Sequence, residues 1–443
     1  MVIASPRRSE QRLLLLLILC ILAVKLAFDL FIVPLFKDQI GSFYGIGPSD
    51  NYGWIAKNIY LGNGYRSTPD TGFTLLREPG YPYFLAALRY LFESDRGPAV
   101  IANLLFTSLS AFLISKLARL VSPQQWLPLV APVLFLLHPG VIVAELRGGV
   151  EIPFVLLVLC FLLLLRRGLA TANTVDYIKT GLVLGAASCV RSTALLFPVF
   201  LFVKDLIFER DWRFLARSAL RTALVLISAL IVLSPWIIRN YLLVGQFIPT
   251  ASVRGIAMQA GNYICTHADG RKTFQELDYD AADVRNKLAA EQGYRFKAGY
   301  YQWFFDPHDE VRFNNALGQQ VMQQYLQSPA LLVKCATKNA FNFWFAGKNR
   351  FATIANICVQ VPYMALALLG LVVGFRQYDR PTVMVLLLFG AYTVMIYMPI
   401  HAQARYSVPL VPIMAILSAI PICKLLEYRF GNRSSTAARP SQV

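Results

Sequence analysis

Residues Ser49–Leu88 read SDNYGWIAKNIYLGNGYRSTPDTGFTLLREPGYPYFLAAL. This is the most polar and the most Gly- and Pro-punctuated segment of the N-terminal half, and it lies between two long apolar runs. It holds Asp50 at the head of a short amphipathic pattern, and Arg77 with Glu78 just before a Pro-Gly-Tyr-Pro turn. A polar loop between two runs of spanning length makes the chain a polytopic membrane protein rather than a globular one.

The bulk numbers agree. Of 443 residues, 56% are hydrophobic and 15% charged, with mean hydropathy +0.50. A soluble domain carries about 25% charged residues. The formal net charge of +17 could suggest nucleic acid, but the basic residues collect at the ends of apolar runs. Arg7/Arg8/Arg12, Lys116/Arg119, Arg166/Arg167, Arg210–Arg221, Arg376/Arg380 and Arg429/Arg433 form the pattern that marks cytoplasmic loops, and nucleic acid is excluded as a partner on that ground.

Outward from the opening loop, the apolar runs are Leu13–Phe36, Ala99–Leu120, Trp126–Ala144, Ile152–Leu165, Tyr177–Phe208, Ala219–Ile238, Thr353–Phe375, Pro381–Pro399 and Tyr406–Leu426. The first is long for a cleaved signal peptide and no small-residue cleavage site follows it, so it reads as a retained span. His138-Pro139 predicts a bend in the third run. The Tyr177–Phe208 run is too long for one upright helix and contains Arg191, a charge costly at mid-membrane. It reads as two short helices meeting at Arg191, the first with a Gly181/Gly185 face for close packing. This gives an all-α polytopic protein of about ten transmembrane helices. Three parts follow: an N-terminal transmembrane module over 1–238 with its first outer loop at 37–96, an outer-face loop domain over 239–350, and a C-terminal transmembrane module over 351–443. The tail from Arg429 is basic and polar and reads as disordered. Alternating the spans from a cytoplasmic N-terminus puts every basic cluster inside. It puts the loops at 37–96, 145–151, 239–350 and 401–405 outside, together with Arg191.

Seven scattered cysteines form no CxxC or metal-type spacing. Only Cys265 and Cys335 fall in the large polar segment, where a disulfide between them is open. There is no internal repeat of the kind that marks many transporters.

The outer-side polar residues are Asp50, Arg77, Glu78, Glu145, Arg147, Glu151, Arg191, Arg239, Arg254, His401 and Arg405. Arginine's planar fork suits phosphate, and an isolated carboxylate can take a proton from a hydroxyl; together they suit chemistry on a lipid head group. Each has a plainer alternative. Asp50 is placed to cap a helix whose Tyr52/Ile55/Ala56/Ile59 face can lie in the membrane interface. A second interfacial helix follows at Arg77–Leu88, where Arg77 either binds phosphate or snorkels to head groups. Arg239 can be a helix-end cation, and Arg191 can pair with Glu145 or Glu151. Glu145 can pair with Arg147 or line a donor groove. His138 beside Pro139 reads as packed, while His401 is a candidate binder. Trp303 and Trp344 belong either to an interfacial belt or to a sugar-stacking site.

The first outer loop resembles that of the GT-C membrane glycosyltransferases, in particular glycosyltransferase family 39, which includes protein O-mannosyltransferases and the aminoarabinose transferase acting on lipid A. The matching residues are Asp50 with Tyr52, Ile55 and Ala56; Gly62-Asn63-Gly64-Tyr65; and Arg77 with Pro79-Gly80-Tyr81-Pro82. Arg191 after GLVLGAASCV, SPWIIRNYLLVGQFIPT at Ser234–Thr250, and ARYSVPLVPIM at Ala404–Met414 are similar in order along the chain. The resemblance implies a GT-C-type fold, a polyprenyl-phosphate-sugar donor and inverting transfer to an acceptor hydroxyl of a lipid, polysaccharide or protein. It implies Asp50 as the general base. The substrate-binding set is Arg77, Glu78, Tyr81, Glu145, Arg191, Arg239, His401, Arg405 and Tyr406, with Arg405 and Arg191 foremost on the lipid phosphate. The expected place is the inner (plasma) membrane with the site on its outer face. The chain departs from some members in having Asn51 where a second acid would stand, and its loop has no DxD pattern, so neither a metal nor another cofactor is expected. The competing expectation is a lipid-linked glycan flippase or ligase, which would have no need of Asp50.

Overall fold

The computed structural model describes residues 8–27, 51–94 and 96–436. Asp50, most of the polar stretch before it, and the 28–36 end of the first apolar run lie outside the described residues.

The chain is built from helices, in order α1 (Arg8–Ala27), α2 (Tyr52–Tyr60), α3 (Gly80–Phe92), α4 (Arg96–Val121), α5 (Leu127–Leu136), α6 (Pro139–Leu146), α7 (Glu151–Thr171), α8 (Thr174–Val190), α9 (Phe197–Phe208) and α10 (Trp212–Val244). Then come α11 (Arg254–His267), α12 (Phe274–Glu291), a hairpin of β1 (Phe296–Lys297) and β2 (Trp303–Phe304), α13 (Pro307–Gln327), α14 (Pro329–Phe345), α15 (Arg350–Gly374), α16 (Arg380–Tyr397) and α17 (Val411–Thr436). β1 and β2 pair antiparallel, Phe296 opposite Phe304.

Among the described residues, six helical stretches are long and apolar enough to cross a membrane: α4, α7, α10, α15, α16 and Ala404–Arg429, which joins a 3₁₀ turn over Ala404–Leu410 to α17. The α5–α6 pair, bent by 53°, is long and apolar enough only when its two helices are taken together. The bend falls where expected: His138 caps α6, accepting from Gly140 N at 3.1 Å, with Pro139 at its first position. α8 and α9 are helices too, broken at Arg191 by a 3₁₀ turn over Ser192–Ala194. With 17 and 12 residues they fall short of the length of a lone span. Outward faces are rich in apolar side chains; Ile227, Ile231, Ile238 and Leu242 of α10 are all exposed, the pattern of a helix that faces lipid.

The long helices pack through small residues. Gly181 and Gly185 of α8 press on the Val225 and Ala229 carbonyls of α10, leaving no room for a Cβ. Ion pairs tie helix ends together, as half-buried Arg166 does with Asp379 at 2.9 Å. The last helix runs on to Thr436, so the basic segment after Arg429 begins as helix rather than as disordered tail.

The segment 254–345 forms a helical layer with its own apolar clusters, one around Phe304 and Phe313 and another around Met258, Val321 and Tyr325. Cys265 of α11 and Cys335 of α14 form a disulfide, which settles the open pairing. The first polar loop is fastened to this layer. Glu310 of α13 accepts from Thr74 Oγ1 and Leu75 N, both at 2.7 Å, and Lys297 pairs with Asp70.

Candidate active site

The two short helices of the first loop sit differently from an interfacial pair. Tyr52, Ile55 and Ala56 of α2 are buried in the protein, so that face packs on the fold and not on lipid. α3 buries Tyr81, Pro82, Leu85 and Ala86 while Leu91 is 73% exposed. The N-cap of α2 is Asn51, one residue later than the Asp50 cap anticipated, in the left-handed region at φ 72. Asparagine tolerates that region better than most residues. Asn51 is buried and its Nδ2 donates to Ser67 Oγ at 2.6 Å.

A cavity of ≈ 360 Å³ opens at this point. The head of α2 contributes Asn51 and Trp54, and the end of α6 contributes Arg147. From α12 come Phe274, Gln275, Asp278 and Tyr279; from the β-hairpin, Tyr300, Tyr301 and Trp303. Lys348 and, just before the last helix, Gln403 and Arg405 complete it. Six separate chain regions therefore converge beside the residue that follows Asp50 in sequence.

The cationic side comprises Arg147, Lys348 and Arg405. Arg405 Nη1 lies 3.9 Å from Glu151 Oε1; with the Gln403 amide turned, its Oε1 accepts from Arg405 Nε and Nη2 at 3.1 and 3.0 Å. These partners orient the guanidinium. Arg191 is one layer below, 4.6 Å over the Tyr406 ring, and Arg405 lies 5.3 Å from the same ring. Tyr406 itself stacks on Tyr397 at 5.0 Å.

The opposite side is held from the helical layer. Tyr300 Oη donates to Asp278 Oδ2 at 2.7 Å, and His401 Nε2 is 3.4 Å from Asp278 Oδ1. Burial works against the His401 imidazolium, but Asp278 and Tyr406 outweigh it and lift its pKa to about 9. Burial likewise raises Asp278, and the His401 charge and the Tyr300 hydrogen bond overcome that to hold it below the usual carboxylate value. The two form an ion pair across neutral pH. The hairpin is fixed by buried Arg285, which donates to Gln259 Oε1 at 2.8 Å and to the Tyr300 carbonyl at 3.2 Å. Asn286 Nδ2 donates to Gly299 O at 3.1 Å.

The remaining anticipated residues have other partners. Glu78 accepts from Ser192 N at 3.1 Å and Ser192 Oγ at 2.8 Å, capping the turn after Arg191. Close approach of Gly80 to the Cys189 carbonyl brings that loop to the α8 end. Tyr81 Oη donates to Gly148 O. Glu145 pairs with Lys25 of α1 at 2.9 Å. Arg239 donates to Thr74 O at 3.1 Å and stands 4.4 Å over the Trp236 ring. Arg77 lies over the Tyr52 and Tyr301 rings at 5.1 and 4.6 Å and donates to Tyr301 Oη. Of the described residues in the anticipated set, Arg405 is the one among the cavity's lining residues; Arg77, His401 and Tyr406 touch or neighbour them. Trp303 lines the cavity, whereas Trp344 packs on Phe343.

Asp278, Lys348 and Gln403 were not singled out from sequence. For Asp278 a signal existed: it shares a helical face with Ala281, Ala282 and Arg285, a small-residue stripe that carries charges. No group of His, Cys, Asp and Glu suited to a metal occurs among the described residues.

Residues 77–238, well under half of the chain, match the sequence model of the family described as dolichyl-phosphate-mannose-protein mannosyltransferase. No curated protein matches. Among solved structures, the oligosaccharyltransferase AglB from Archaeoglobus fulgidus, in complex with an inhibitory peptide and a dolichol-phosphate, is similar with TM-score 0.50 and 11% identity, over 89% of this chain and 48% of that one. An apo form of the Archaeoglobus fulgidus oligosaccharyltransferase gives TM-score 0.53 and 13% identity, over 96% and 53%. ArnT from Cupriavidus metallidurans, bound to undecaprenyl phosphate, gives 0.39 and 14%, over 99% and 82%. The chain spans about half the length of the oligosaccharyltransferases it matches. At these identities the likeness is one of fold. The resemblance to GT-C membrane glycosyltransferases is thus carried by sequence in the N-terminal half and by fold over most of the chain.

Proposed function

We propose that this chain, a polytopic membrane protein with the GT-C fold, transfers a sugar from a polyprenyl-phosphate donor to an acceptor hydroxyl on the outer face of the plasma (inner) membrane. The carrying observation is the cavity in which Arg147, Lys348 and Arg405 face an aromatic and acidic wall, directly beside Asn51. Three cations in one partly enclosed site suit a lipid phosphate. The Cys265–Cys335 disulfide supports an oxidising side for the segment that builds the opposite wall.

In this reading Asp50 takes the proton from the acceptor hydroxyl as its oxygen attacks the anomeric carbon. The bond from that carbon to the phosphate oxygen breaks with inversion, and the lipid phosphate leaves with its electron pair. Its charge is met by Arg147, Lys348 and Arg405, whose fixed geometry spares reorganisation during transfer. Arg191 reaches the site through the Tyr406 ring and stiffens it. Arg77, Arg239, Glu78 and Tyr81 fasten the first loop that carries Asp50, and Glu145 anchors α1 through Lys25.

The test is turnover of an undecaprenyl-phosphate sugar by the purified protein, with membrane extract supplying acceptors. Asp50→Asn is expected to bind donor normally and to lose about 100-fold or more in turnover. Near-normal turnover by the folded variant would remove Asp50 as base.

A further inference from the structure

We infer that His138 and Gln360 are positioning residues for the lipid-phosphate site: through Ser407 they set the turn that carries Arg405 against the helix that leads to Arg147. This rests on the reading that Arg147 and Arg405 meet a lipid phosphate.

A run of buried polar side chains crosses the apolar bundle at this level. Gln360 is the one polar residue among the buried residues of α15; the others are Ala367, Gly370 and Gly374. A polar side chain on a spanning helix is costly against hydrocarbon and joins that helix to a neighbour. Gln360 Nε2 donates to Ser407 Oγ at 3.3 Å, and Ser407 Oγ donates to Ala404 O at 2.8 Å. Ser407 is fully buried, and it lies with Ala404 in the 3₁₀ turn Ala404–Leu410. Arg405 and Tyr406 stand between the two bonded residues.

The other end of the Gln360 amide belongs to His138, which is 1% exposed. His138 Nδ1 accepts from Gly140 N at 3.1 Å, so the ring proton sits on Nε2. The Gln360 side chain hydrogen-bonds that ring, and Oε1 is its acceptor. Neither His138 Nε2 nor Gln360 Oε1 has another hydrogen-bond partner among the described residues. Tyr363, one turn along α15, holds the pair in register. Its ring meets His138 edge-on at 4.7 Å, and its hydroxyl donates to Leu134 O at 2.9 Å.

His138 thereby serves two walls of the cavity. One nitrogen caps α6, whose end leads to Arg147; the other, through Gln360 and Ser407, holds the Arg405 turn. The start of α6 lies against the same turn, Val408 Cγ2 being 4.0 Å from where a Cβ on Gly140 would sit. A phosphate shared by two guanidinium groups depends on their spacing, because each presents a rigid planar fork. Neither His138, Gln360 nor Ser407 lines the cavity, so their effect on a phosphate passes through the two arginines.

The experiment measures binding of undecaprenyl phosphate to the purified full chain in detergent by native mass spectrometry, with the thermal midpoint taken on each sample. Gln360→Met keeps length and removes both hydrogen bonds; Ser407→Ala, a milder change, cuts the last link alone. Each is expected to weaken binding about 10-fold, the loss typical of a buried hydrogen bond. Arg405→Lys keeps the charge and loses the fork, and should weaken binding by a similar factor. Added to Arg405→Lys, Gln360→Met should change affinity by no more than about twofold, because both act on one contact. A glutamine that only joins α15 to the bundle would lower the midpoint in both backgrounds and leave affinity alone. Unchanged affinity in Gln360→Met and Ser407→Ala, or losses that multiply with that of Arg405→Lys, overturn the positioning role while the lipid-phosphate reading stands. Wild-type affinity in Arg405→Lys removes the contact on which the relay acts. Failure of wild type to bind the lipid sinks both readings together.

Discussion

Glu310 of the helical layer receives the Thr74 hydroxyl and the Leu75 amide of the first polar loop on its two carboxylate oxygens, each at 2.7 Å. These residues are far apart in sequence, and their contact is what fixes the loop to the layer that walls the cavity. Glu310 is 2% exposed. Burial raises its pKa from 4.5 to about 7, against the Thr74 and Leu75 hydrogen bonds and the Arg239 charge, which lower it. The folded state thus binds a proton more tightly than the unfolded state. Stability from this group should fall as pH rises from about 4.5 to about 7 and be flat above that. Glu310→Gln, which mimics the protonated form, is expected to abolish this slope in thermal unfolding followed across pH. Glu310→Ala should cost about 1–3 kcal/mol by leaving Thr74 and Leu75 unpaired. An unchanged slope in Glu310→Gln assigns it to another group.

Helix packing gives a second expectation. Gly185 of α8 meets the Ala229 carbonyl and Val232 of α10, with no space for a side chain, whereas nothing lies near Gly390 of α16. Gly185→Leu should force the helices apart and cost about 1–3 kcal/mol or more. Gly390→Leu should be near neutral. The comparison is the thermal midpoint of both variants in the same detergent; equal midpoints would remove the small-residue seam as a packing determinant.

The disulfide makes a third. Cys265 and Cys335 enclose 70 residues of separation. A loop of that size is worth about 4 kcal/mol as an upper figure from chain entropy. Reduction, or the Cys265→Ser/Cys335→Ser double variant, should lower the unfolding midpoint of the full chain. Reporter fusions at Gly270 and Arg167 should report opposite sides of the membrane, Gly270 outside. Both on one side would contradict the span alternation and the outer-face placement with it.

What was legible in the sequence, and what was not, follows from the range of the forces involved. The apolar runs, the break at Arg191, the bend at His138-Pro139 and the Gly181/Gly185 seam are local: each is set by a periodicity or a residue within one or two turns. Cys265 and Cys335 could be named as candidates but not joined. The cavity was only half legible. Arg405 and Arg147 stood out because a charge beside an apolar run is conspicuous. Asp278 did not, because α12 also carries Asp280 and Asp283, and in a soluble-looking amphipathic helix only tertiary packing decides which acid is buried. Lys348 and Tyr300 lie in connections with no pattern of their own. Glu78, Glu145 and Arg239 show the converse: a polar residue near a membrane interface looks functional in sequence, yet each is held by a Ser192, Lys25 or Thr74 that no spacing predicts.

The Asp278–His401 pair yields the last prediction. His401 is 7% exposed and its pKa is lifted from 6.5 to about 9, by the nearby Asp278 and Tyr406 overcoming burial. A folded-state pKa above the unfolded one contributes stability that is fully present below 6.5 and is lost as pH rises through about 9. The slope from this group is therefore downward in the alkaline range, above the window of Glu310. His401→Gln keeps a polar group facing Asp278 but cannot carry charge. It should remove the alkaline slope in thermal unfolding and leave the acidic one from Glu310 intact. Asp278→Asn should also remove the alkaline slope, because without the carboxylate the lowering effect of burial on His401 is opposed by Tyr406 and no longer by Asp278. Agreement of the two single variants, with the double variant no further changed, is the signature of one coupled pair. If the alkaline slope survives both, the pair is not what titrates there, and His401 is held by Tyr406 and Phe274 alone.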